Sequence, residues 1–289
     1  MKNTKLIALP GILAILTMAC GLSIHVPINT DIKTIPTTTE YISINPPNTN
    51  DITDLNFSFG GGKLTLKPGT GKTLIQGSAT YNVKDFKPIV IQNKGKIEIK
   101  QGNLEIKGVP DFDEKIKNEW LFSIGDAPIN LTIKAGAYIG NFDFGGLNLN
   151  SLTIYDGAST VNLNFSSLNK GEINYFQYET GISDVSLNNL ANANIKTMIF
   201  QSGGGNYKLD FSGNLISDFN VFIKSGLSSM TIIVPVNTHA IIEHEGGLTN
   251  ISAFGNWNKK EDRYENGSGN PTITIRIEIG AGNVILKNP

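Results

Sequence analysis

Three groups of residues have types and spacings that could carry chemistry. Gly69-Thr-Gly71-Lys72-Thr73 ends like a phosphate-cradling loop. Such a loop needs another glycine five positions before Gly71, a strand ahead of it, and a helix behind it whose backbone amides meet the phosphates. Leu66 holds that position and both flanks alternate like strands, so the segment reads as a glycine-rich turn. Carboxylates cluster at Asp111, Asp113 and Glu114, and again at Glu261, Asp262 and Glu265. Lys or Arg residues are interleaved in both clusters, the pattern of a solvated face rather than of an acid–base pair. His239 and His244 stand five apart in a strand-like stretch, which puts them on opposite faces and out of reach of one metal ion. His25 lies in a linker. No serine occupies a Gly-x-Ser-x-Gly setting. The expectation is a chain with no catalytic residue, no metal site and no cofactor.

The remaining reactive group is Cys20, the single cysteine, so no disulfide and no cysteine-based zinc site can form. Lys2 and Lys5 precede an apolar run from Leu6 to Met18, and Ala19 stands directly before Cys20. Basic, apolar and small residues in that order make a secretory signal, with an apolar run too short for a permanent bilayer span. Leu16-Thr-Met-Ala-Cys20 resembles the lipobox of bacterial lipoproteins, with Thr17 where leucine is usual. The resemblance implies removal of residues 1–19 and lipidation of Cys20, making the membrane a partner through that lipid. Residues 20–50 contain Pro27, Pro36, Pro46 and Pro47 with Thr and Asn between them, the composition of a semi-extended tether.

A formal charge of −1 and only 17% charged residues leave no basic face for nucleic acid. From Asp51 onward apolar residues alternate with polar ones, as at Leu55, Phe57 and Phe59, or Leu131 and Ile133. That is strand periodicity, with Gly and Asn punctuating each run. The strands also repeat. Leu131-Thr-Ile-Lys-Ala-Gly136 aligns with Leu152-Thr-Ile-Tyr-Asp-Gly157, Phe176-Gln-Tyr-Glu-Thr-Gly181, Met198-Ile-Phe-Gln-Ser-Gly203 and Val221-Phe-Ile-Lys-Ser-Gly226. The glycines follow one another after 21, 24, 22 and 23 residues, and a second apolar alternation follows each. Ile273–Ile279 with Gly280 supplies the last copy.

A unit of that length cannot bury its own apolar face; stacking equivalent units can. The expected architecture is therefore all-β: a parallel, right-handed β-solenoid of about 22-residue repeats. An antiparallel β-sandwich of hairpins is the alternative. The expected segments are a signal peptide at 1–19, a tether at 20–50, an N-terminal β region at 51–127 and the repeat solenoid at 128–289. Asp143, Asn164, Asn188 and Asp210 fall at equivalent positions with mostly apolar neighbours on both sides, so they form an outward Asx column. Asp143 and Asp210 are then three rungs apart, about 14 Å, too far for the two carboxylates of a glycosidase. Phe254–Pro271 breaks the repeat, and its Trp257, Arg263 and Tyr264 are residue types favoured at binding contacts.

Leu55-Asn-Phe-Ser-Phe-Gly-Gly-Gly-Lys-Leu-Thr-Leu66, Leu74–Tyr81 and Lys87-Pro88 resemble the toast-rack domain of bacterial envelope proteins. Trp120-Leu121, Leu209–Gly213, Val234-Pro235 and Gly280-Ala-Gly282 are similar to the part that follows it. The resemblance covers residues 52–289 and implies a fold and an envelope location, with no catalytic residues. Similar domains occur in LiaF-type proteins that modulate envelope-stress sensing, but those carry several membrane helices. The function expected is a lipid-anchored, extracytoplasmic module that binds an envelope protein or glycan or builds structure. An accessory regulator of envelope stress and a glycan-active β-helix enzyme are the alternatives.

Overall fold

The alternation in the sequence becomes a ladder of long strands. The computed structural model describes residues 32–47, 51–102 and 115–289, which all belong to one compact unit. In chain order its strands are β1 (Thr38–Ile44), β2 (Thr53–Pro68), β3 (Ile75–Tyr81), β4 (Pro88–Asn93), β5 (Lys96–Gln101), β6 (Asn118–Ile124), β7 (Ile129–Asp143) and β8 (Leu149–Asn164). There follow β9 (Ile173–Asn188), β10 (Ile195–Asp210), β11 (Phe219–Ile233), β12 (His239–Glu245), β13 (Leu248–Phe254), β14 (Asn258–Lys260), β15 (Arg263–Asn266) and β16 (Thr272–Lys287). The signal peptide, Cys20, His25 and the acidic trio Asp111, Asp113 and Glu114 lie outside the described residues.

Strands β2, β7, β8, β9, β10, β11 and β16 stack in that order, each parallel to the next. Parallel pairing of equivalent strands is the β-solenoid arrangement, and it overturns the hairpin sandwich. The two apolar alternations of each repeat form one long strand bent at its glycine into two arms. The bend also shifts the alternation: in β7, Leu131 and Ile133 point inward before Gly136, and Tyr138, Gly140 and Phe142 after it. That one-residue change of phase lets both arms face a single core. Leu55, Leu131, Leu152, Phe176, Met198, Val221 and Ile275 form one inward column of the first arm. Leu66, Phe142, Leu163, Leu187, Leu209, Ile232 and Leu286 form another along the second arm. Nearly every member is fully buried, and each contributes on the order of 1.5–3 kcal/mol by leaving water.

The bend glycines themselves stack. A Cβ on Gly136, Gly181, Gly203, Gly226 or Gly280 would collide with the carbonyl oxygen of the glycine one rung below. The column starts with Gly60, which the repeat alignment did not include: its carbonyl lies beneath Gly136. Close approach of backbones, rather than a left-handed conformation, demands glycine at this corner. Left-handed φ appears two residues later, at Gly62, Gly205 and Gly282.

The chain order departs from the spatial order at both ends. β16, the last strand in sequence, lies between β11 and a further rung that the alignment missed. That rung is split at Gly246-Gly247 into β12, beside the first arm of β16, and β13, beside the second. At the other end β5 and β6 play the same part against the two arms of β2. β2 is thus a full rung, and the sheet runs across position 128 without interruption. Antiparallel strands then flank these split rungs: β4 on β5, β3 and β1 on β6, β15 and β14 on β12.

Candidate interaction surface

Polar residues inside the corners hold the rungs in register. Asn130 donates to Asp54 (2.8 Å), Asn150 to Asn130 (2.8 Å) and Asn174 to Asn150 (3.2 Å), an amide ladder at the start of the first arm. Beneath the glycine corner, Tyr138 and Tyr178 both donate to one oxygen of Asp156, at 3.3 and 2.8 Å. The other Asp156 carboxylate oxygen is buried with no hydrogen-bond partner in the described residues. Burial, followed by the neighbouring charge and hydrogen bond, pushes both tyrosine hydroxyls well above the usual range. This cluster carried no sequence signal beyond its place just before or after a glycine.

The Asx column stands where the alignment puts it, since Asp143 pairs with Asn164 and Asn164 with Asn188. Its members are half-buried and serve the turns after the second arm. Asp143 accepts from the Gly145 and Ser166 amides and the Ser166 hydroxyl, and Asp210 from the Ser212 amide. Asn164 accepts from Asn189 at 2.7 Å, and Asn188 accepts from Lys208 at 3.0 Å.

The segment expected as a loop insertion is the β14–β15 hairpin. Tyr264 is 4% exposed and belongs to the core, and Trp257 packs against that core, half-buried. The two aromatic residues therefore do not make an exposed platform. Their periodicity was hidden by the charged residues around them. Arg263 sits in a polar chain that runs Arg276, Glu243, Arg263, Glu265, His239, with separations of 3.2–3.5 Å. The Arg263 hydrogen bond, and after it that of His239, holds the Glu265 carboxyl below the usual carboxylate range. His239 faces outward while His244 pairs with Ile277 at an inward position, so the two imidazoles are separated. Among the described residues no three His, Cys, Asp or Glu side chains group to hold a metal ion.

The outer face of the first arm is open to a partner. In its central outward column Thr132, Thr153 and Gln177 give way to Ile199, Phe222 and Arg276. The Arg276 guanidinium lies 5.9 Å from the centre of the Phe222 ring. Here the surface dips into a shallow hollow of about 320 Å³, with Ile199, Gln201 and Phe222 against Lys224, Glu245 and Glu278. A second hollow of about 430 Å³ adjoins it, sharing Gln201 and Lys224 and reaching Glu179 and Gly226. Lys224 and Glu278 pair at 3.1 Å along the rim. An apolar floor with a charged rim suits recognition of a partner with both apolar and polar groups. The aligned repeats hold the signal for this site: Ile199 and Phe222 occupy the polar place of their triplets.

The N-terminal domain of toast_rack, DUF2154, matches residues 32–188. The chain belongs to the toast-rack family. The matched span ends with β9, so four full rungs of the toast-rack stack fall inside it. Among solved structures, a candidate cell adhesion protein from Clostridium sporogenes ATCC 15579 is 21% identical with a TM-score of 0.49, over 88% of this chain and 100% of its own. A candidate adhesin from Bacteroides fragilis NCTC 9343 is 12% identical with a TM-score of 0.41, over 87% and 97%. A candidate lipid binding protein from Parabacteroides distasonis ATCC 8503 is 10% identical with a TM-score of 0.36, over 87% and 97%. No curated protein matches the chain. Among the described residues no helix is long and apolar enough to cross a membrane.

Proposed function

We propose that this toast-rack protein is a non-catalytic, extracytoplasmic module of the bacterial envelope, held to a membrane by lipid on Cys20, that binds an envelope protein or glycan. The hollow around Ile199 and Phe222 carries the binding half of this reading. It places Ile199 and Phe222 at outward positions that are polar in the rungs of β7, β8 and β9, where a partner would remove them from water. The lipobox-like Leu16–Cys20 and the tether behind it support the anchor. Two acyl chains suffice for stable attachment, each buried methylene adding about 0.8 kcal/mol.

Intact-mass measurement of the mature protein from membranes tests the anchor: a lipidated chain starting at Cys20 is expected, and release of Cys20→Ala into the soluble fraction. A wild-type chain found unlipidated and soluble overturns it. Capture from envelope extracts, with Phe222→Ala as the control, tests the surface. A partner retained equally by wild type and variant removes the hollow from the proposal.

A further inference from the structure

The sheet of the second arm has two open ends. Beyond the stacked rungs it finishes in β13 on one side and in β6, β3 and β1 on the other. No described strand pairs with the outer edge of β13 or of β1. Free edges are usually guarded by charge, proline or short length. On the first arm they are: β14 is three residues long and carries Lys259 and Lys260, and β4 begins with Pro88. β13, Leu248-Thr-Asn-Ile-Ser-Ala-Phe254, has neither charge nor proline, and its Leu248 and Phe254 are 87% and 59% exposed. β1, Thr38-Thr-Glu-Tyr-Ile-Ser-Ile44, has one charge, Glu40, already bound to Lys87 and Tyr81, and its Tyr41 is 86% exposed.

The two edges match each other. β1 is antiparallel to β3, β3 antiparallel to β6, and β6 parallel to β2, so β1 and β13 run in the same direction. Both strands have seven residues. Ile42 on β1 and Ile251 on β13 are each half-buried at an end of the core. Set Ile42 beside Ile251 and the inward positions agree along both strands, with Tyr41 and Ser43 outward beside Asn250 and Ser252. The ends are also stepped in opposite senses. The β1 end projects three strands on the second arm and two on the first; the β13 end projects one and three. Placed end to end, the arms need four and five strands at the junction, and the surplus strand is the three-residue β14.

We infer that β13 of one molecule pairs in parallel with β1 of a second copy, so that the solenoid continues head to tail from chain to chain. Such a heterologous contact does not close and yields open filaments. The contact uses a different surface from the Phe222 hollow, and it goes beyond the binding reading proposed for that hollow.

The test uses the full chain in detergent with Cys20→Ser, so that introduced cysteines are the only thiols. One preparation carries Ser43→Cys and another Ser252→Cys. Mixing them under mild oxidation is expected to give the 43–252 mixed disulfide, with neither preparation cross-linking to itself. Sedimentation of the chain without introduced cysteines is expected to show species growing with concentration. Leu248→Lys combined with Phe254→Lys is expected to sediment as a monomer with an unchanged melting temperature. A 252–252 disulfide in place of the mixed one indicates two-fold pairing and overturns the inference. A chain that stays monomeric leaves β13 to a strand of another protein and equally overturns it. Assembly by the doubly charged variant does so as well. All readouts use pure protein without membrane, so their failure leaves the anchoring and hollow readings standing.

Discussion

The carbonyl oxygen of Gly181 lies 2.7 Å from the point that a Cβ on Gly203 would occupy. At Gly157 the corresponding distance, to the Gly136 oxygen, is 3.2 Å. Backbone rather than a flexible side chain stands in the way at both positions, so the rungs must separate to admit a methyl group. Gly203→Ala is expected to lower stability by about 1–3 kcal/mol, the range for overpacking. Gly157→Ala is expected to cost clearly less. Urea unfolding followed by circular dichroism compares them, and equal costs would remove rung-to-rung contact as the cause of the glycine column.

Asp156 accepts from Tyr178 at 2.8 Å inside the corner, a hydrogen bond between a buried hydroxyl and a carboxylate. Tyr178→Phe keeps the ring and deletes the bond, so it is expected to cost about 1.5–3 kcal/mol, the range for bonds to charged groups. The two tyrosines also set an alkaline limit. Their folded-state hydroxyls ionise only above the ordinary tyrosine value of 10.0. A raised folded-state value stabilises the protonated fold below the unfolded value and loses that stability as pH climbs above it. Ultraviolet titration should therefore show Tyr138 and Tyr178 ionising late, together with unfolding. Ionisation of every tyrosine near pH 10 in the folded protein would refute this.

The stack was legible because glycine spacing and apolar alternation are both local signals. Leu131, Ile133 and Gly136 announce a rung, and the next glycine announces its neighbour. The order of the final strands was not legible, because β16 pairs with both β11 and β12 and no local pattern records which strand lies between which. The split rung of His239–Phe254 escaped notice because its corner is Gly246-Gly247, close behind two histidines and two glutamates that disguise the alternation. Tyr264 looked like a surface residue amid Lys259, Lys260, Glu261, Asp262 and Arg263, yet in β15 the alternation sends it inward and its charged neighbours outward. Asp156 and its tyrosines come from three different rungs, so their meeting follows only from the register.

At the β12 end the Glu265 carboxylate lies between Arg263 at 3.2 Å and His239 at 3.4 Å, contacts that help to hold the hairpin. The carboxyl is held below the ordinary value of 4.5, chiefly by the Arg263 hydrogen bond. A lowered folded-state value stabilises above the unfolded value and loses that contribution as pH falls through the folded one. Amide protection factors in β14 and β15, corrected for the slower intrinsic exchange in acid, should therefore fall selectively below pH 4.5, while β8 to β10 stay protected. Glu265→Gln should show the lowered protection already at neutral pH. A hairpin equally protected at pH 7 and in acid would show that Trp257 and Tyr264 alone hold it down.

Phe222 and Arg276 offer the sharpest separation of surface from core. Phe222 is 41% exposed on the outer face, while Val221 and Ile223 beside it point inward and are buried. Phe222→Ala should leave the melting temperature within about 2–4 °C of wild type, the shift that ~1 kcal/mol produces in a chain of this size. Ile223→Ala should cost about 2–5 kcal/mol by opening a cavity between Phe200 and Ile277. Arg276 covers one side of the ring and pairs with Glu243. Arg276→Ala should accordingly expose more of Phe222 and raise the binding of an apolar fluorescent dye, an effect that Phe222→Ala cancels in the double variant. Dye binding that is unchanged in Arg276→Ala would mean that the guanidinium does not shield the ring, and the hollow would lose its gated apolar floor.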